Sequence, residues 1–205
     1  MTHPASKLAT VAACLALATL AGCDQWITAA GFGGPSGELT LASSAPDADV
    51  LLTGDFDTAV YAADGPDSMH AILIDGTIDA PEKVVHLQLL WRPRAGKTPF
   101  DPAATNTIVR YVLFGEDGSA ALYGGGGMMH LHDTVGEDRF TGSLRLATLR
   151  LLDASENYDP GELGDNAIST GRFTATRDDH QTAELLRRIS VHLEARLGYP
   201  RFVRR

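Results

Sequence analysis

The sequence predicts a mainly β fold, an antiparallel β-sandwich or barrel with one C-terminal amphipathic α-helix. Three observations predict it. Apolar residues recur at every second position through most of the stretch from Glu38 to about Arg177, the spacing that lines one face of a strand. Turn-forming clusters punctuate these runs, without the strand–helix alternation of a parallel sheet. Residues 179–197 alone carry apolar side chains at helical spacing.

The strands follow in order. Leu39 and Leu41 alternate with polar neighbours, and Met69-His70-Ala71-Ile72-Leu73-Ile74 reads as a strand ended by Asp75-Gly76. Val85, Leu87, Leu89 and Trp91 share one face, opposite His86 and Gln88. Ile108, Val112 and Phe114 share another, interrupted by Arg110. Leu144 and Leu146 have one parity and Leu149 and Leu151 the other, so a β-bulge or sharp bend is expected near Ala147. Phe173 and Ala175 mark a last strand. Turns are expected at Asp64-Gly65-Pro66, Asp75-Gly76, Glu116-Asp117-Gly118 and Val135-Gly136-Glu137. Long loops are expected over Pro93 to Asn106 and Ser155 to Asn166.

In the helix, Ala183, Leu186, Ile189 (or Ser190), Leu193 and Leu197 form the apolar stripe. Asp178 or Asp179 can accept from the free N–H groups of its first turn, and Arg196 suits the negative end of its dipole. Gly198 and Pro200 stop it. The helix is expected to pack on the sheet and to plug a barrel end.

The N-terminus has a different character. Lys7 precedes an apolar run from Leu8 to Leu20, which small residues follow; this is the layout of a secretory signal. The run is shorter than the roughly 20 residues a membrane-spanning helix needs. Its junction, Leu20-Ala21-Gly22-Cys23, resembles the lipobox of bacterial lipoproteins. That resemblance implies acylation of Cys23, which becomes the new N-terminus, and a location in the cell envelope outside the cytoplasm, with inner or outer membrane left open. The expected organisation is a signal peptide at 1–22, a lipidated cysteine and flexible tether at 23–37, and one β-rich domain at 38–205. The tether reading rests on Ala29-Ala30-Gly31-Phe32-Gly33-Gly34-Pro35-Ser36-Gly37, a small and flexible composition.

Charge and cysteine usage agree with this organisation. The chain holds 17 basic and 26 acidic residues, and losing Lys7 with the signal moves the formal net charge from −9 to −10. Such a balance excludes a nucleic-acid partner of the kind that reads a basic surface, and it suggests a domain that stays off anionic headgroups except where tied down. Of the two cysteines, Cys14 and Cys23, the resemblance implies that the first would leave with the signal and the second would carry lipid, so no disulfide would form and the core alone would hold the domain.

Candidate chemistry is sparse. His130-Leu131-His132-Asp133 places two imidazoles on one side of a strand, a partial site for zinc or another transition metal; His70 and His86 sit on strands and could converge with it. Glu156, Asp159, Glu162 and Asp165 could order a loop around calcium. Gly124 to Gly127 lack the lysine and helix of a phosphate-binding loop, and imply a turn or a close backbone approach. Gly96-Lys97-Thr98 lacks the earlier glycine of a nucleotide loop. Arg92, Arg94 and Lys97 form a basic patch suited to an acidic partner or a phosphate. Asp55-Phe56-Asp57 fails as a calcium loop because Ala59 and Val60 occupy the next ligand and glycine positions. Gly34-Pro35-Ser36-Gly37-Glu38 lacks the last glycine of a nucleophile elbow.

The expected function is that of a lipid-anchored envelope protein, a non-enzymatic binding or interaction module with the membrane and an envelope protein as partners. No cofactor is expected beyond the lipid on Cys23. Two alternatives are a binder of a lipid-like small ligand in a barrel cavity and a metal-dependent enzyme centred on His130 and His132.

Overall fold

Nearly every strand carries an apolar face, and the chain buries those faces together by curling its sheet into a ring. The computed structural model describes residues 36–45, 47, 49–94 and 104–198. The strands are β1 (Gly37–Ser43), β2 (Leu51–Asp55), β3 (Thr58–Ala63), β4 (Met69–Gly76), β5 (Pro81–Leu89), β6 (Thr107–Phe114), β7 (Ala120–Leu131), β8 (Arg139–Ala154) and β9 (Asn166–Arg177), followed by the helix α1 (Asp179–Leu197). Among the described residues the fold is therefore mainly β with one C-terminal helix, as the patterning predicts.

Strands β3 to β9 pair in chain order, each antiparallel to the next, and β9 returns to β3. Seven strands that alternate in direction leave the first and last running the same way, so the closing seam is parallel. The sheet is mixed for that reason, not purely antiparallel. The seam is short, Val60↔Thr176 and Tyr61↔Arg177, and it is locked by the Asp178 N–H donating to the Tyr61 carbonyl at 3.0 Å. The rest of that β9 edge is filled by β1, with Gly37 opposite Phe173 and Ser43 opposite Ala167; β2 hangs on β1.

The ring interior is a packed core. Phe56, Tyr61, Tyr111, Tyr123, Phe140 and Phe173 are its largest fully buried side chains, and β1 contributes Leu39 and Leu41. Buried phenols need partners, and each has one. Tyr61 donates to the Glu137 carbonyl, Tyr111 to that of Leu39 at 3.3 Å and Tyr123 to that of Gly164 at 2.9 Å. Phe56, within the rejected calcium motif, forms the turn between β2 and β3 and fills the core.

Of the register breaks in the wall, two fall around the middle of β8. The pairing of β8 with β9 shifts between Leu144 and Ala147, where the change of parity predicts a bulge. The pairing of β7 with β8 shifts between Met128 and Met129. Beside it the buried Asn106 amide donates to the Met129 carbonyl at 2.9 Å and accepts from its N–H at 2.7 Å, so a side chain supplies strand-like bonds at the irregularity. The glycines 124–127 lie inside β7; they are a close approach and not a turn. The expected turn at Glu116-Asp117-Gly118 forms, with Gly118 at φ +84.

The helix obeys its caps. Asp178 accepts from the Gln181 N–H at 2.7 Å, and Gly198 closes the other end at φ +82 with its N–H on the Glu194 carbonyl. Its buried face is Thr182, Leu185, Ile189 and Leu193, rotated from the expected stripe, so Ala183 is exposed. Thr182 tolerates burial because its hydroxyl donates to the Asp178 carbonyl at 2.7 Å. The helix does not plug an end of the ring. It lies on the outer wall, where Val60, Ile72, Ile74, Val84, Val112 and Leu122 form a second apolar cluster with it. Other groups fill the interior: Val135 from the turn after β7, and Leu163 from the loop after β8 with the half-buried Tyr158 packed against the same core.

Candidate functional site

An imidazole pair bridged to a guanidinium is the most unusual polar constellation on the wall. Outward positions on β4, β5 and β6 are apolar under the helix, and His70, His86, Gln88 and Arg110 follow beyond it. His86 faces Ile72 on one side and Arg110 on the other in the register, and His70 lies diagonally across. His70 Nδ1 is 3.1 Å from His86 Nε2, and the two rings are parallel within 4° with centroids 5.4 Å apart. Arg110 Nη1 is 3.2 Å from His86 Nδ1. His70 Nε2 is 3.9 Å from Asp64 Oδ2.

Donor counting orients this chain of contacts. A guanidinium only donates, so His86 accepts at Nδ1 and carries its proton on Nε2. That N–H donates to His70 Nδ1, which leaves the His70 proton on Nε2, facing Asp64. His86 is fully buried. Burial first, then the Arg110 and His70 charges, push its pKa down to about 3. Burial also lowers that of Arg110. The arrangement holds one neutral imidazole in a fixed tautomer and orients a second towards a carboxylate.

A pH dependence follows. Between about pH 6.5 and 3, the unfolded chain binds a proton at His86 that the folded chain excludes. The stability linked to His86 is complete above that window and is lost as pH falls, at up to about 1.4 kcal/mol per pH unit. His86→Gln can still accept from Arg110 and donate to His70, yet it does not titrate. The fall of its melting temperature from about pH 6 to 4 is therefore expected to be shallower than the parent's. Parallel curves would mean that His86 is not held neutral.

The other candidates are placed as follows. His130 and His132 lie at the exit of β7, both exposed. His132 Nε2 is 3.0 Å from Ser143 Oγ, and the pKa of His130 is lowered by partial burial, Arg145 and His132. Asp133, the nearest carboxylate in sequence, accepts from the Thr141 N–H at 2.7 Å. His70 and His86 converge on each other, and among the described residues no group of three His, Cys, Asp or Glu side chains is placed to hold a metal. Glu156, Asp159, Glu162 and Asp165 are exposed on their loop, and Asp159 caps the Gly161 N–H at 2.9 Å. Arg94 pairs with Asp67 at 2.6 Å. Cys23, the tether as far as residue 35, and Gly96-Lys97-Thr98 lie outside the described residues.

Arg110 is the residue whose role is least visible in the sequence. Its signal is the polar break it makes in an apolar strand face, and reading that break requires the register that sets it beside His86. No family model, curated protein or solved structure matches the chain.

Proposed function

We propose that this chain is a bacterial lipoprotein, acylated at Cys23 and held at a membrane outside the cytoplasm, whose β-ring domain acts by binding a partner on its outer surface. The observation that carries the anchor is Leu20-Ala21-Gly22-Cys23 at the end of a short apolar run, with a glycine-rich stretch between it and the first strand at Gly37. Several acyl chains on one cysteine make a stable anchor where a single chain is marginal. Binding at the outer surface is supported by the interior, where aromatic side chains occupy the space that a lipid-like ligand would need.

The test is metabolic labelling with a clickable fatty acid. The parent protein is expected to take the label and Cys23→Ala to lose it and accumulate as uncleaved precursor. An unlabelled parent, or equal label in both, would overturn the anchor.

A further inference from the structure

The outer wall of the ring has two unlike halves. The helix covers the apolar half. The other half, formed by β7, β8 and β9, has no helix across its centre among the described residues and carries a charge opposite to that of the protein. On β8 the core takes Phe140, Leu144, Ala147 and Leu149, so the alternate positions point outward. Arg139, Arg145 and Arg150 are exposed there, and Arg172 is exposed beside them on β9, opposite Ser143 in the register. These four arginines form no ion pair among the described residues. In the three strands together five arginines stand against one acid, Asp153, although acids outnumber bases 26 to 17 in the whole chain. Two large apolar side chains project from the same strand, Leu146 at 52 % exposure and Leu152 at 44 %.

We propose that this face lies against an anionic lipid surface, with the arginines on headgroup phosphates and Leu146 and Leu152 entering the interfacial layer. The inference deepens the envelope reading and rests on it for the nearness of a bilayer. Arginine suits phosphate because its fork donates two parallel bonds. Exposed leucines beside arginines favour a surface with both charge and an apolar layer over a purely hydrophilic polyanion. Acidic residues border the face at both ends, Glu137 and Asp138 in the turn before β8, and Glu156 and Asp159 in the loop after it. Their repulsion from phosphate confines contact to the middle of β8 and lays that strand along the membrane. Net charge alone suggests a domain that avoids such headgroups; the segregation of charge gives this one face the opposite preference.

The test uses the full chain carrying Cys23→Ser, so that no acyl chain holds it, with vesicles of phosphatidylcholine alone or mixed with phosphatidylglycerol. The readout is the ratio of the two partition coefficients, in which any apolar contribution from the N-terminal segment cancels. The parent is expected to prefer the anionic vesicles. Arg145→Gln, Arg150→Gln and Arg172→Gln together are expected to lower the ratio about a hundredfold, at roughly fivefold for each charge near the surface. The matching triple lysine variant is expected to keep most of the preference, and high salt to abolish it. All three positions are exposed, and unchanged melting temperatures confirm that the variants are folded. A parent ratio near unity, or a glutamine variant with the parent's ratio, would overturn the proposal. Tight binding to heparin without vesicle preference would also overturn it, in favour of an acidic polysaccharide. Acyl labelling of Cys23 is a separate readout, so the anchor and the face can fail independently.

Discussion

Leu193→Asp is expected to strip α1 from the ring and expose the apolar wall beneath it. Leu193 is fully buried among Ile189, Leu185 and the outward residues of the strands. Losing a buried leucine side chain costs about 2–5 kcal/mol, and an unpaired carboxylate in that seam adds several more. A domain of this size has about 5–15 kcal/mol in total, so the substitution removes much of it. Val191 is the control, since it is 54 % exposed on the same helix; Val191→Asp is expected to change stability by less than about 0.5 kcal/mol. Thermal melting and binding of a hydrophobic dye read both effects. Equal melting temperatures for the two variants would show that the helix does not bury Leu193.

Gly125→Ala is expected to part β7 from β8. A Cβ at Gly125 would overlap the Thr148 carbonyl oxygen and stand 3.1 Å from the Leu149 Cα. Both are backbone atoms of the paired strand, so no side-chain rotation relieves the collision. The cost is about 3 kcal/mol or more, the upper range for overpacking. That lowers the melting temperature by roughly 6–12 °C for a domain of this size. The neighbouring Gly124 offers the contrast, because its added Cβ would meet only the Leu152 side chain, half-exposed and free to turn away. Gly124→Ala is expected to be nearly neutral, within about 1 kcal/mol. Similar losses at both positions would show that the run is glycine for a reason other than strand approach.

These two sites also mark what the sequence makes legible. The helix ends are local chemistry, Asp178 before the first turn and Gly198 after the last, and both lie where the sequence puts them. The bulge near Ala147 is equally local, because a change of parity shows within a few residues. Which face of a strand looks inward is not local. In Ala71-Ile72-Leu73-Ile74 every position is buried, with Ala71 and Leu73 in the ring and Ile72 and Ile74 under the helix. A continuous apolar run cannot announce that division, so the helix looks equally suited to an end and to a wall. The insertion of β1 into the seam of β9 and β3 depends on pairings more than a hundred residues apart. The joining of His86 to Arg110 depends on the register of β5 and β6. The arginines of β8 and β9 are visible singly, yet their shared face emerges only once the ring sets which positions point out.

The anchor at Cys23 is tested most directly by the intact mass of the natural protein, extracted from membranes in detergent. A chain that begins at Cys23 and carries lipid gives the mass of residues 23–205 plus acyl groups, in peaks separated by fatty-acid chain-length differences. A mass matching the unmodified chain with residues 1–22 still attached, recovered in an aqueous wash of the membranes, would contradict it.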